Sequence, residues 1–563
     1  MVRFCLSAAI LAVVCFAGAG CGIVGPKTHS TCLKNSHAGG EPAGVLEKRA
    51  KAHAHYAAGI LHELNEEIDL ALEQFYKAAM GDLENETLVV NVSRRLQEHQ
   101  QPQKALQLLT NATARADASG ALYAQLGSVY AQLGMTNLAI QANRIAIKKD
   151  PSSLAGYRNL FVHYCQDKRF DEALRVLEEA GKQQELSVEF LLNLAELFGG
   201  LARLSPENKT AANAQALESL ERAAALKPTD PVLQLRLADG LNALGETTKA
   251  AHLYLEVLKQ LNAGNELPLP GNIVRAKLAE LYLRAQDRAR AIEQLEGIVR
   301  EDPTNPFGYY YLATIAFEEK RMTNAVENFS KVLLLNPDFE QAYYDLASAQ
   351  INLDRPQDAL ATLEKARARF AQNFVIPFLM GLAYSRTRDY PKAIACFTEA
   401  EVFAQVRDPS RLKPFFYFQT GAAYERMGEL AQAEKYLEKA IELDPDYADA
   451  LNYLGYMWAD QGRNLERARV LIERAVKLDP KNGAFLDSLG WVLFKLNQPQ
   501  AALEQLLKAV EFSEEPDATI YDHLGDVYSA LGQTEKAREA WRKSVAIQPS
   551  EAVQRKLGEP MDK

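Results

Sequence analysis

The chain has 563 residues, more than one compact core holds, with 48% hydrophobic and 24% charged residues and a formal net charge of −10. That composition is ordinary for a globular protein, and the acidic balance leaves no basic surplus to neutralise phosphates, which argues against nucleic acid as a partner. The six cysteines (Cys5, Cys15, Cys21, Cys32, Cys165 and Cys396) are too scattered for a disulfide framework, so packing must hold the fold.

Residues 1–20 read as an export signal. Arg3 supplies a positive start, Phe4 to Phe16 is apolar, and small residues follow at Ala17-Gly18-Ala19-Gly20 before Cys21. The apolar run is shorter than the roughly 20 residues that span a bilayer. Two processing readings stand. Gly18-Ala19-Gly20-Cys21 resembles a bacterial lipobox, which implies a lipid on Cys21, although Gly18 occupies the usual place of Leu. Ala17-Gly18-Ala19 equally suits ordinary signal cleavage and a soluble periplasmic or secreted product. Residues 21–51, rich in Gly, Ser, Pro and His, are expected to form a flexible tether with a reach of about 30 Å. His29, Cys32 and His37 within it fit no closed four-ligand metal site.

From residue 52 the chain repeats itself every 34 residues or so, in fourteen units starting at 52, 86, 120, 154, 188, 231, 272, 306, 340, 374, 414, 448, 483 and 518. The twentieth position, allowing for two insertions, is Ala every time, from Ala71 and Ala105 to Ala502 and Ala537. The eighth is Gly, Ala or Ser except for Phe161 in the fourth unit. Each unit reads as two amphipathic helices joined by a short polar turn such as Leu133-Gly134 or Met427-Gly428, and the two small positions let the helix backbones approach. Pro151, Pro228, Pro303, Pro337, Pro445, Pro480 and Pro549 follow the second helices, which they cannot continue. Three stretches interrupt the period: 199–212, expected to lengthen the turn inside unit five, then 264–271 and 405–413. These divide the array into units 1–6 (52–270), 7–10 (271–410) and 11–14 (411–551), and 552–563 is read as a capping helix and tail.

The pattern resembles the tetratricopeptide repeat over about 52–551; Ala518 to Glu551 carries it well, with Leu524-Gly525, Tyr528, Ala537, Trp541 and Pro549, while Ser93 and Leu96 make the early units weaker matches. The expected fold is all-α, a right-handed α-solenoid superhelix of about fourteen helical hairpins. The resemblance implies that the first helix of each hairpin lines a concave face. On that face Phe307, Tyr310, Tyr311, Phe317, Tyr344, Phe378, Phe415 and Phe418 suggest an apolar groove for a peptide or partner helix, though the same rings can fill the core between repeats. Asp449, Asn452, Asp487, Asp522 and Asp526, with His523, Tyr453, Tyr456 and Trp491 near them, form an acidic ladder suited to a basic segment, or simply a hydrated surface. Arg158, Asn193 and Arg236 only partly resemble the carboxylate clamp of co-chaperone repeats, because Val162 and Val232 replace two of its polar members.

No phosphate-binding loop, nucleophile elbow or dinucleotide fingerprint is present, and His62-Glu63 lacks the second histidine of a metalloprotease helix. No cofactor, metal or small-molecule substrate is expected. The chain resembles bacterial tetratricopeptide lipoproteins, which implies a non-catalytic scaffold facing the periplasm, tethered to a membrane through its N-terminal lipid and serving assembly, secretion or polysaccharide export. A periplasmic chaperone-like holder of unfolded clients is the alternative, and an enzyme of unrecognised type a more distant one.

Overall fold

The computed structural model describes residues 43–262 and 271–558. Among them are twenty-nine α-helices and no strand. The signal segment, Cys21 and most of the tether lie outside the described residues. The chain divides into two compact units at Lys227 and Pro228.

The first unit contains five hairpins: α1 and α2 (Ala43–Leu64, Ile68–Gly81), α3 and α4 (Glu86–Glu98, Pro102–Thr113), and α5 and α6 (Gly120–Gln132, Thr136–Lys149). Next come α7 and α8 (Leu154–Gln166, Phe170–Gly181), then α9 and α10 (Val188–Leu204, Lys209–Ala225). The second unit begins with α11 and α12 (Pro231–Ala243, Thr247–Asn262), α13 and α14 (Gly271–Arg284, Arg288–Glu301), and α15 and α16 (Pro306–Glu318, Met322–Leu335). It continues with α17 and α18 (Glu340–Asn352, Pro356–Arg369), α19 and α20 (Val375–Arg386, Tyr390–Arg407), and α21 and α22 (Pro414–Arg426, Leu430–Leu443). The last three hairpins are α23 and α24 (Ala448–Asp460, Leu465–Leu478), α25 and α26 (Gly483–Lys495, Pro499–Phe512), and α27 and α28 (Ala518–Ala530, Thr534–Ile547), closed by α29 (Glu551–Leu557).

Helix approach explains the two small positions. Every one of the repeated alanines is buried, none more than 2% exposed. In the seven hairpins with glycine at the eighth position, the residue four places after the alanine lies against that glycine. A Cβ on Gly381 would stand 2.5 Å from the Phe397 ring, one on Gly490 2.5 Å from Leu506, and one on Gly525 2.3 Å from Trp541. Since carbon atoms do not approach that closely, the pairing is a steric lock between glycine and a large side chain. Phe161 breaks the rule in α7, where it is 6% exposed against a hairpin that accommodates it.

The turn inside a hairpin is equally regular. In thirteen of the fourteen hairpins the fifteenth residue has positive φ, from Glu66 to Gly532. The next amide then donates back to the carbonyl of the eleventh residue at 2.8–3.0 Å, as Arg321 does to Ala316 and Gln533 to Tyr528. This is the left-handed helix stop that satisfies otherwise orphaned carbonyls.

The structure redraws three boundaries. Helix α1 already starts at Ala43, so residues 43–51 are helical rather than tether. The extra residues of unit five lengthen both helices to 17 residues instead of the turn. Apolar Phe190, Leu194, Phe198 and Leu201 keep their helical spacing straight through Gly199 and Gly200, so packing overrides the glycines. At 405–413, α20 runs to Arg407 and a short 3-10 turn, Pro409–Arg411, is capped by Asp408, whose Oδ1 accepts from the Ser410 amide at 3.2 Å. The stretch 263–270 lies outside the described residues.

Within each unit the first helices crowd together. In the first unit α3, α5, α7 and α9 pack side by side, and in the second so do α15, α17 and α19, and α23, α25 and α27. Second helices meet closely in this manner at α2 with α4 and α8 with α10. Within each unit the first helices are therefore the more closely packed set.

Candidate functional site: the first-helix face

Most of the aromatics read as groove residues build the core between hairpins. Tyr310 stacks on Phe339 at 4.6 Å, meets Phe329 edge-on at 5.7 Å, and donates its hydroxyl to Asp345 Oδ2 at 2.9 Å. Tyr311 and Phe317 pack against the buried clusters of α13–α17. Phe378 is surrounded by Phe374, Phe397 and Phe416 with ring centres 5.2–6.1 Å away. Phe418 meets Tyr447 and Tyr453 at 5.5 and 5.6 Å.

Tyr344 requires correction: it is buried at 6% exposure. Its hydroxyl donates to Glu340 and receives the Asn373 amide at 2.7 Å, so the loop before α19 covers it. Burial, followed by the Glu340 carboxylate, raises its phenol pKa. Of the eight aromatics only Phe307 (53%) and Phe415 (39%) remain exposed.

The acidic ladder is likewise mostly occupied by its own chain. Asp487 is buried, correcting its place on an open surface, because His523 Nδ1 lies 2.9 Å from its Oδ1. That imidazole stacks on Trp491 at 4.0 Å, and the Lys495 ammonium lies 4.5 Å from the same indole. Asp522 and Asp526 both hold the Lys556 ammonium of α29 at 2.7 Å. Burial lowers the pKa of that ammonium, but the two carboxylates outweigh it and the net shift is upward. Asp449 stays exposed, and Asn452 is half-buried with Oδ1 unbonded.

Sequence reasoning missed the Lys556 bridge, because α29 stands where the first helix of a further repeat would begin. It also missed a cleft of about 650 Å3 at α1 and α3, where Tyr56, Phe75, Leu88 and Val92 supply apolar walls. Arg95 bridges it to Glu63 and lies 4.8 Å above the Phe75 ring. His62 bonds Glu67 through Nδ1 at 2.6 Å. Burial pushes the Cys396 thiol up to about 11, which leaves it protonated at neutral pH. Among the described residues no group of three His, Cys, Asp or Glu is placed to hold a metal ion, and no helix is long and apolar enough to cross a membrane.

Sequence profiles described as the tetratricopeptide repeat match residues 276–338, 316–400, 418–483, 463–518 and 518–551. The chain therefore carries tetratricopeptide repeats, arranged as an array of helical hairpins. No curated protein matches it in sequence. Among solved structures it is similar to a chain of the APC/C hetero-tetramer Cut9-Hcn1, at 15% identity over 90% of this chain and 95% of that one, with a TM-score of 0.40. A tetratricopeptide repeat protein from Parabacteroides merdae matches at 15% identity over 45% of this chain and 96% of its own, TM-score 0.36. A chain of the Naa15/Naa10 complex bound to HypK-THB matches at 18% identity over 81% and 68%, TM-score 0.36.

Proposed function

We propose that this tetratricopeptide-repeat chain is a non-catalytic scaffold that binds protein partners along its first-helix face and is held at the bacterial cell envelope by lipid on Cys21. Arrays of this kind typically mediate protein–protein interactions. The observation that carries the reading is the exposure of Phe307 and Phe415 on first helices while the neighbouring rings pack away. An aromatic left in water on a pre-formed surface supplies contact area at low ordering cost. The envelope placement rests on Arg3, the apolar run 4–16 and Gly18-Ala19-Gly20-Cys21. Anchoring there would raise the local concentration of membrane-bound components of an assembly, secretion or export machine.

Two measurements test the two halves. Metabolic labelling with an alkyne fatty acid should mark the wild-type chain and not Cys21→Ser, which should move to the soluble fraction; equal labelling of both would remove the anchor. Affinity capture from detergent-solubilised envelopes should recover a defined partner that Phe307→Glu with Phe415→Glu loses. The same proteins recovered by wild type and variant would place the binding surface elsewhere.

A further inference from the structure

The first and last helices of the array are finished differently. Helix α29 closes the last hairpin, with Val553 and Leu557 buried against Ala537 and Trp541. Helix α1 instead leaves an apolar face uncovered. It has 22 residues, where α3, α5 and α7 have 13 each. Gly81, the last residue of α2, lies level with Ala52, since a Cβ on Gly81 would stand 3.4 Å from the Ala52 Cβ. Residues 43–51 therefore run on past their own hairpin, tied back by Arg49 to Glu84 at 2.7 Å. A few helical turns without a neighbour are unstable in water, so such an extension gains from packing.

The buried side of α1 is the one with Ala52 and Gly59, where a Cβ on Gly59 would stand 2.6 Å from the Phe75 ring. On the opposite side Ala50, Ala54, Ala57, Leu61 and Leu64 are all exposed, the two leucines by 62% and 75%. Their alternating spacing keeps them in one line down the helix, the pattern of a two-helix seam. The line is graded in size, with alanines first and leucines at its end. Charge is graded as well. Lys48, Arg49 and Lys51 lie in the first half, where Glu47 is held by Lys51 at 2.8 Å. Glu63, Glu66 and Glu67 stand at the end of the helix or just past it.

A face graded in this way fits a reversed copy of itself. When two α1 helices cross antiparallel near Ala57, Leu61 and Leu64 of each lie over alanines of the other. Each basic half then meets the other's acidic end; Lys48 and Glu66 are equally far from Ala57 in sequence. A parallel pair would set leucine on leucine and like charge beside like. We propose that this face of α1 is the interface between two copies of the chain, related by a two-fold axis near Ala57. The pairing concerns assembly of the scaffold and does not depend on what its other first helices bind.

The test uses the full chain carrying Cys21→Ser, so that lipid cannot hold copies together. Sedimentation equilibrium should show monomer and dimer in exchange below about 100 µM. Leu61→Glu with Leu64→Glu should weaken the dimer at least about tenfold. Circular dichroism and melting should stay as in the parent, because both leucines are exposed. A short bismaleimide should join two copies through Ala57→Cys above the level of the parent's own cysteines. It should not do so through Ala50→Cys, which the antiparallel pairing holds apart. A monomer at about 100 µM, or a dimer indifferent to the leucine pair, would overturn the assignment. Equal joining through both cysteines would mean a parallel pair and contradict the self-fit. A monomer that floats with phosphatidylglycerol vesicles, and loses this with Leu61→Glu and Leu64→Glu, would give the face to lipid instead.

Discussion

At the scale of single residues, the strain in this array sits in its turns. Lys320 has φ 60°, and seven further non-glycine residues occupy the same left-handed position of their hairpins. An L residue there costs roughly 1–2 kcal/mol, offset in part by the entropy a glycine would lose. Lys320→Gly should therefore stabilise by about 0.5–1 kcal/mol in urea titration, and Gly428→Ala, at φ 88°, should destabilise by a similar amount. The steric locks act in the opposite sense. Gly490→Ala places a Cβ 2.5 Å from Leu506 Cγ and should cost about 1–3 kcal/mol. Asp345 supplies a pH signature. Burial raises its carboxyl pKa, against the weaker lowering effect of hydrogen bonds from Gln341 and Tyr310. An acid whose folded pKa lies above its unfolded value loses stability as pH rises from the unfolded pKa through the folded one. Asp345→Asn should thus be more stable than wild type at pH 7, and that advantage should vanish below about pH 4.

At the scale of elements, the fold was legible wherever side-chain volume alone decides the packing. The alanine from Ala71 to Ala537 and the glycine opposite a large residue announce two helices in contact, and the structure places them so. The turn geometry was legible only at Gly134, Gly245, Gly428, Gly462 and Gly532, since Lys320 or Arg388 carries no mark of positive φ. Helical position also told which side Tyr344 and Asp487 occupy, but not what lies over them. Asn373 comes from the next loop and His523 from the next hairpin, so their cover depends on how neighbours stack. Lys556 shows the same limit at the end of the array. Its helix buries Val553 and Leu557 against Ala537 and Trp541 while the ammonium closes the Asp522–Asp526 pair. Val553→Asp should detach α29, lower amide protection in α28, and promote aggregation through the uncovered end, measured by hydrogen exchange and light scattering.

At the scale of the molecule, stability should be distributed along the chain. Each hairpin packs mainly on its neighbours, so unfolding is local and a single global free energy is a poor description. Hydrogen exchange on Gly490→Ala should show lost protection in α23 to α28 and none in α3 to α8. Uniform loss across the chain would mean one cooperative block. Adjacent hairpins satisfy one another's large side chains, while Phe307 and Phe415 on first helices of the second unit stay exposed.

The most direct test is photo-crosslinking in the native host from a crosslinker at Phe307, with Glu438 on the second helix α22 as control. The account predicts capture of one or a few envelope proteins at Phe307 and not at Glu438. A smear of many proteins at Phe307 would favour a holder of unfolded clients, and no capture there from a correctly exported chain would contradict a partner-binding first-helix face.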